Sequence, residues 1–239
     1  MISHSSLLIA AAVPAELSLI NDRLSGRETI PAGHVKLLTG RIYGRRVSSL
    51  VTGPGPVNMA GALGAVFSRH VPKALIVTGC GGGFEGSALS VGDIALATEE
   101  IHGQLGAEDE AAPGLPHPLG FLENRIKLNQ ALARQAYHAL LKERGEKKTR
   151  IFKGPFLTVA TVTSRVETAS LYRAGYGAIV ENMEGFSAAA LCGPYRIPMV
   201  ELRAVSNMVG ETDRNFWRLD QAFENAQKGV LIIIERGII

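Results

Sequence analysis

Short apolar runs alternate along the 239-residue chain with longer stretches whose apolar positions recur at helical spacing. LLIAAAV (7 to 13) precedes AELSLINDRL, RRVSSLVTG (45 to 53) precedes PVNMAGALGAVFSRH, and ALIVTGC (74 to 80) runs into a glycine loop followed by VGDIALATEE (91 to 100). The apolar runs are continuous, as expected of strands buried on both faces, and the alternation predicts a mostly parallel sheet covered by helices. After a long loop holding Pro113, Pro116 and Pro118, a helix is predicted over roughly 123 to 145, with Leu132, Ala136 and Leu140 on one stripe. The second half repeats the pattern: FLTVATVT, a helix through SLYRAGY, AIVENMEG, a helix through FSAAALC, and MVELRAVSN. A last helix is predicted to carry Phe216, Leu219, Phe223, Ala226, Val230 and Ile233. No repeat, low-complexity segment or linker divides the chain, so one α/β domain over residues 1–239 is expected.

With 46% hydrophobic and 20% charged residues, the chain can bury a full core and lacks the depletion that marks disorder. The net charge is +3, and the one small basic run, Lys147, Lys148 and Arg150, suits a solvated helix end. There is no basic stripe of the kind that nucleic-acid binding needs. Two cysteines, Cys80 and Cys192, give neither a disulfide framework nor metal-ligand spacing, so no metal or cofactor is expected and a reducing cytoplasm fits. The opening MISHSSLLIAAAVPA has no Lys or Arg before Arg23 and is assigned as the first strand, not a leader. VLIIIERGII is broken by Glu235 and Arg236, short of a membrane span.

In open α/β sheets, ligands bind beyond the carboxyl ends of the strands, which singles out four places. In VPAE, Pro14 ends a strand and Glu16 opens a helix; a helix-stabilising first-turn glutamate and a functional carboxylate are both open. TGPGPVN has glycines that permit close approach to a ligand before a helix, but its Gly53, Gly55, Asn58 spacing is not a dinucleotide fingerprint. In VTGCGGGF, residues Gly81, Gly82 and Gly83 cost backbone entropy, so either a ligand lies against them or two strands approach closely. Cys80 has no nearby His in sequence to activate it as a nucleophile. ENMEG places Met183 and Glu184 at a strand-to-helix switch, where a carboxylate entering an Ala-rich helix needs a polar partner such as a pair of hydroxyls.

Taken in order, AAVPAE, VTGPGPVNMAG, VTGCGGGF, VGDIALATEE, ENMEG and LRAVSN resemble the purine nucleoside phosphorylase and nucleosidase superfamily from about residue 7 to the end. ENMEG followed some twenty residues later by RAVSN is the specific part. Within the superfamily, ATEEIHG, ATVTS, VENMEG and SNMVGETDRNFW are most similar to the futalosine hydrolases, which release hypoxanthine from futalosine on a route to menaquinone. The resemblance implies a three-layer α/β/α fold with a central mixed, mostly parallel sheet, and water attack on the anomeric carbon of a purine nucleoside through an oxocarbenium-like state. It assigns Glu16 as the base that takes the water proton, Glu184 and Met183 to the ribose, and Arg203 to the water.

The same resemblance puts Cys80, Gly81 and Gly82 beside the substrate, the first where related nucleosidases have serine, and makes Thr161 and Thr163 of ATVTS part of the base-facing wall, with Ser206 also in the site. Phe156 and Phe216 are candidates to stack on the base, and Glu211 or Asp213 to accept from N1 of hypoxanthine. Where the phosphorylases carry a phosphate-binding arginine this chain has Val77, which favours hydrolysis. Where the methylthioadenosine/S-adenosylhomocysteine nucleosidases carry an aspartic acid it has Asn207, which donates to N7 or O6 and favours a 6-oxopurine. The loop from His102 to His117 or a neighbouring subunit is expected to meet the 5′ group, in a homodimer or larger homo-oligomer. The alternatives are another purine nucleosidase, a phosphorylase, or a non-catalytic nucleoside-binding or storage protein.

Overall fold

The computed structural model describes residues 6–108, 110, 113–117, 119–143 and 149–239. The predicted alternation is present, with additions. Strand β1 (Leu7–Ala11) leads into a 3₁₀ turn (Pro14–Leu17) and a short helix α1 (Ser18–Asp22) rather than one longer helix. A hairpin that the hydrophobic pattern does not announce follows, β2 (Ser25–Ala32) and β3 (Val35–Ile42). Its strands are exposed on much of their surface, so they carry no continuous apolar run. Next come β4 (Arg45–Val51), α2 (Pro56–Phe67), β5 (Ala74–Gly83) and β6 (Ile94–His102). The helix expected from about 123 begins later: β7 (Arg125–Lys127) pairs with β6, and Asn129 then caps α3 (Gln130–Lys142), accepting from the backbone of Ala131 and Leu132. The remaining elements are β8 (Ile151–Thr158), α4 (Val166–Tyr176), β9 (Val180–Asn182), α5 (Gly185–Tyr195), β10 (Met199–Met208) and α6 (Leu219–Glu235).

All ten strands among the described residues join one mixed sheet: nine lie in the order β10-β6-β8-β9-β5-β1-β4-β3-β2, β7 pairs with β6 off that path, and an added β10–β5 pairing closes the first five into a ring. Adjacent residues of β1 feed opposite cores. Leu7, Ile9 and Ala11 pack with α1, α3 and α6, whereas Leu8 and Ala10 pack with α2 and α5. This is the three-layer α/β/α arrangement, and it explains why the central strands read as unbroken apolar runs. On α6, Ala226, Val230 and Ile233 are buried as the stripe predicts, but Phe216 precedes the helix and stands 61% exposed. Lys147 and Lys148 lie outside the described residues, while Arg150 is paired with Asp93 at 2.5 Å. Among the described residues no helix is long and apolar enough to cross a membrane.

The glycine segment is strand, not loop. The first half of β5 runs between β1 and β10; at Gly82 and Gly83 it leaves β1 behind and pairs with β9. A Cβ on Gly81 would sit 2.7 Å from Val180 Cγ1, and one on Gly82 would sit 2.9 Å from Val209 Cγ2, so side chains are excluded where the ring closes. Of the two explanations left open by the sequence, close strand approach therefore holds; the same backbone also borders the site described next.

Candidate active site

The carboxyl ends of β1, β5, β9 and β10 meet around a cavity of about 240 Å³. That is slightly below the ~300 Å³ at which small-molecule sites usually start. Its floor holds Glu16, Glu184 and Arg203; its walls include Cys80, Gly81, Gly82, Glu181, Met183, Ser206 and Asn207; and Pro54, Val162, Trp217 and Phe223 border it.

Glu16 sits in the 3₁₀ turn, where Pro14 breaks the strand and turns the chain back on itself. Its Oε2 accepts from the backbone N–H of Ala12 (3.0 Å) and Val13 (3.2 Å), and its Oε1 from that of Cys80 (2.9 Å). A Cβ on Gly79 would come within 2.3 Å of Oε1, and Gly79 has φ +147°, so a side chain there is excluded twice over. Burial pushes the Glu16 carboxyl above the ordinary glutamate range, against Arg203 and the backbone donors, which pull it down. The turn is held from behind by Gln227 of α6. Its Oε1 accepts from the N–H of Leu19 at 2.7 Å, and its Nε2 donates to the carbonyl of Ala15 at 3.2 Å.

Glu184 ends the β9-to-α5 corner. Asn182 shapes that corner by accepting from the N–H groups of Glu184 (2.9 Å) and Gly185 (2.7 Å). The Glu184 carboxylate reaches across to the TGPGP segment, accepting from Gly55 N–H at 2.9 Å, and pairs with Arg203 Nη2 at 3.1 Å. Arg203 is 2% exposed and also donates from Nε to Glu201 (2.9 Å) and from Nη1 to the Cys80 carbonyl (3.2 Å). The Nη2 contact with Glu184 is close but off hydrogen-bond alignment, so Nη2 has no hydrogen-bond acceptor. Burial alone would lower the guanidinium's pKa; Glu201, Glu184 and Glu16 together outweigh that and hold it charged.

At the other end, the β10–β5 register shifts between Val205 and Asn207, leaving Ser206 as an extra residue opposite Gly81 and Gly82. Such a bulge re-aims side chains, and here the adjacent Ser206 and Asn207 both reach the cavity. Asn207 Oδ1 accepts from Ser206 Oγ (2.7 Å), and its Nδ2 donates to the Met208 carbonyl (3.1 Å), which leaves one amide N–H. Facing the same stretch of β5, Glu181 is held by the Thr163 N–H (3.0 Å) and hydroxyl (2.5 Å), and burial pushes its carboxyl upward.

Several candidates lie elsewhere. Thr161 is exposed and does not border the cavity; its neighbour Val162 does, and Thr163 acts behind the wall by fixing Glu181. Asp213 is exposed and caps the short turn at Arg214, and Glu211 accepts from the Asp213 N–H, so neither reaches the cavity. Phe156 is fully buried in the core and Phe216 points away, whereas Trp217 and Phe223 supply aromatic surface. Val77 is buried in the sheet and offers no cation. The Cys80 thiol is pushed by burial up to about 12, which leaves it protonated rather than nucleophilic. Among the described residues no group of His, Cys, Asp or Glu is arranged to hold a metal ion. Glu181, the middle residue of the three-residue strand β9, carries no sequence pattern of its own that would single it out; only its spatial neighbour Thr163 marks it.

The model of the family described as "Phosphorylase superfamily" matches residues 6–238. The chain belongs to the phosphorylase superfamily. It is similar to the 5'-methylthioadenosine/S-adenosylhomocysteine nucleosidase of Desulfotalea psychrophila, with 31% identity over 95% of this chain and 94% of that protein. The nucleosidase of the same name from Bacillus thuringiensis is 27% identical over 96% of this chain and 98% of that protein. Within the superfamily the chain is thus an enzyme of the nucleosidase kind, which hydrolyses an N-glycosidic bond. Among solved structures, the Neisseria meningitidis nucleosidase in complex with methylthio-immucillin-A superposes with a TM-score of 0.84 at 22% identity, covering 97% of this chain and 99% of that one. The Colwellia psychrerythraea 34H nucleosidase in complex with adenine also gives 0.84 at 22% identity, covering 96% of this chain and 94% of that one. At that identity the structures speak for the nucleoside phosphorylase-like fold.

Proposed function

We propose that this superfamily member hydrolyses the N-glycosidic bond of a 6-oxopurine nucleoside, with futalosine as the substrate and hypoxanthine as the released base. Glu16 takes the proton of the attacking water, a role typically contributing about 10²- to 10⁴-fold. Its three backbone donors fix the carboxylate, and burial pushes its carboxyl above the ordinary glutamate range, which makes it a stronger base. Glu184 accepts from the ribose hydroxyls beside Met183, and its charge stabilises the cationic transition state. The spare Nη2 of Arg203 contacts the water or a hydroxyl, giving that buried donor an acceptor.

The observation that carries the base assignment is the hydrogen-bonding of Asn207. Its oxygen accepts from Ser206, whose hydroxyl lies closer to it (2.7 Å) than to the Gly81 carbonyl (3.3 Å), and one N–H remains, so the residue has a donor to offer the purine, matched to O6 or N7. Glu181 supplies the acceptor for N1–H, the role that neither Glu211 nor Asp213 is placed to fill. Trp217 stacks on the base. The 5′ group leaves through the cavity mouth, which a second copy of the chain covers in a homo-oligomer; the exposed Val57 at the start of α2 suits such a contact. Hydrolysis, not phosphorolysis, is supported by the absence of a cation at Val77.

A second reading, release of adenine from methylthioadenosine or S-adenosylhomocysteine, is favoured by the names of the relatives. Adenine would offer its amino group to Glu181, but only N7 to the spare Asn207 N–H. Incubating the protein with futalosine, inosine and methylthioadenosine in phosphate-free buffer, and separating the released bases, decides between these. Hypoxanthine from futalosine is expected; adenine release alone would overturn the base assignment, and a requirement for phosphate would overturn hydrolysis.

A further inference from the structure

Directly beneath the cavity floor are two carboxyls that the proposed reaction does not use. Glu100 of β6 and Glu201 of β10 are both fully buried. Glu201 Oε1 accepts from Arg203 Nε at 2.9 Å, but its Oε2 has no hydrogen-bond partner. Glu100 Oε1 accepts from Asn182 Nδ2 at 3.0 Å, and its Oε2 from the Thr158 hydroxyl at 2.6 Å. The orphaned Glu201 oxygen faces Glu100: a Cβ on Gly185 would lie 2.3 Å from both Glu100 Oε1 and Glu201 Oε2, so the two oxygens flank the space of one missing methyl group.

Two ionised carboxylates cannot share such a place. A single proton between them removes one charge and gives Glu201 Oε2 the donor it lacks. We propose that Glu100 and Glu201 form one hydrogen-bonded carboxylic acid–carboxylate pair that holds Arg203, and through it Glu184, in position, so that both are positioning residues for the reaction assigned to the cavity above. The proton rests on Glu100 Oε1 and is donated to Glu201 Oε2, leaving Glu201 Oε1 to accept from Arg203. Burial, followed by the charge of Glu201, pushes the Glu100 carboxyl well above the ordinary carboxylate range.

The charged groups facing Glu100 are Glu201 and Arg203 from β10, with Glu184 beyond the guanidinium. Thr158 of β8 and Asn182 of β9 contribute neutral donors, and Ile126 of β7 is apolar. Arg203 is thus anchored at Nε by a carboxylate of fixed single charge and meets Glu184 at Nη2. Among the described residues, Glu201 is the hydrogen-bond acceptor that holds the Nε side of the guanidinium.

Glu201→Gln tests this cleanly. The amide oxygen still accepts from Arg203 Nε, and the amide N–H donates to Glu100, which becomes the carboxylate; the pair keeps one negative charge without a shared proton. Infrared difference spectra of wild type minus Glu201→Gln should show loss of a protonated-carboxyl band and no net loss of carboxylate. Loss of a carboxylate band with no acid band would overturn the shared proton. Positioning is read without substrate from the Arg203 Nε–H resonance in ¹⁵N-arginine NMR, slowly exchanging in wild type and Glu201→Gln and exchange-broadened in Glu201→Leu. With the cleaved nucleoside, kcat/KM should stay within about threefold for Glu201→Gln and fall about 10- to 100-fold for Glu201→Leu, the scale of a small misplacement at a reacting centre. A fully active Glu201→Leu, or a Gln variant as impaired as the Leu variant, would overturn positioning. Should Glu201→Leu not fold, the Gln variant's spectra and turnover still decide. Because the spectroscopic readouts need no substrate, a wrong substrate assignment leaves them untouched.

Discussion

The two ends of the cavity are built by different rules. At the end proposed for the sugar, Glu16, Glu184 and Arg203 are locked by backbone donors and by each other, with Glu201 and Glu100 behind them. At the end proposed for the base, Asn207 rests on single hydrogen bonds to Ser206 and Met208, Glu181 on one threonine, and Trp217 is half-buried. Low dielectric and interlinked charges make the first end costly to alter, because removing one partner strands another. The second end can exchange a single donor or acceptor while its surroundings stay in place. The contrast suggests a fixed chemical engine joined to an adjustable recognition surface, and substitutions at the two ends should separate accordingly.

The largest effect is expected at Glu16. Glu16→Gln should lower kcat by about 10²- to 10⁴-fold, since the amide cannot take the proton of the attacking water. In wild type the carboxyl must be ionised to act, so kcat/KM should fall as pH drops through its folded pKa. Burial places that limb above 4.5, and the variant should lack it; an unchanged acid limb in Glu16→Gln would assign the base elsewhere. Next comes Glu184→Gln, which weakens the acceptor for two hydroxyls and disturbs Arg203. A charged hydrogen bond is worth about 1.5–3 kcal/mol, so kcat/KM should fall about 10- to 150-fold for ribosides. A 2′,3′-dideoxy substrate should lose far less between wild type and variant, and equal losses would contradict the ribose contact.

Stability should also follow pH in a way that belongs to the sugar end. The Glu100 carboxyl is raised in the folded protein, so the folded state holds a proton that the unfolded chain releases near 4.5. Stability from this group is complete below that value and is lost as pH rises through the folded pKa. Urea unfolding of wild type should show that decline, and Glu201→Gln should flatten it; parallel profiles would place the proton on another group.

At the base end the effects should be smaller and selective. Asn207→Asp should lower kcat/KM for the 6-oxopurine substrate by about 10- to 100-fold and raise it for an adenine nucleoside, because one donor becomes an acceptor. Loss for both in equal measure would mean that Asn207 supports the fold rather than selecting the base. Trp217→Ala should raise KM by about tenfold with little change in kcat, in keeping with ~1–3 kcal/mol for stacking. An unchanged KM would move the stacking role to Phe223.

How much of this was legible in the sequence follows the same division. Continuous apolar runs exposed the central strands, and Glu16 and Glu184 each follow such a run, where open sheets place ligands, while Arg203 stands inside the last one as a charge in an otherwise apolar stretch. The β2–β3 hairpin was not legible because its two-sided exposure removes the apolar run on which a buried strand is recognised. Thr161 and Asp213 share segments with true wall residues, but a segment match does not tell which of two neighbouring side chains turns inward. The bulge at Ser206 is a register shift between strands far apart in sequence, and Glu181 meets Thr163 only because the chain returns through α4 to bring a strand residue against the loop before that helix. Glu100 and Glu201 stand within apolar strands and meet only because β6 and β10 pair, a fact that no local pattern carries.

The central claim is that Asn207 and Glu181 select a 6-oxopurine above a sugar end that cleaves any correctly seated nucleoside. Its most direct test is the ratio of kcat/KM for futalosine to that for methylthioadenosine, measured on the wild-type protein in phosphate-free buffer. A ratio of about 10³ or more in favour of futalosine is expected, within the range that an unpaired buried polar group can impose. A ratio near one, or one that favours methylthioadenosine, would contradict the account.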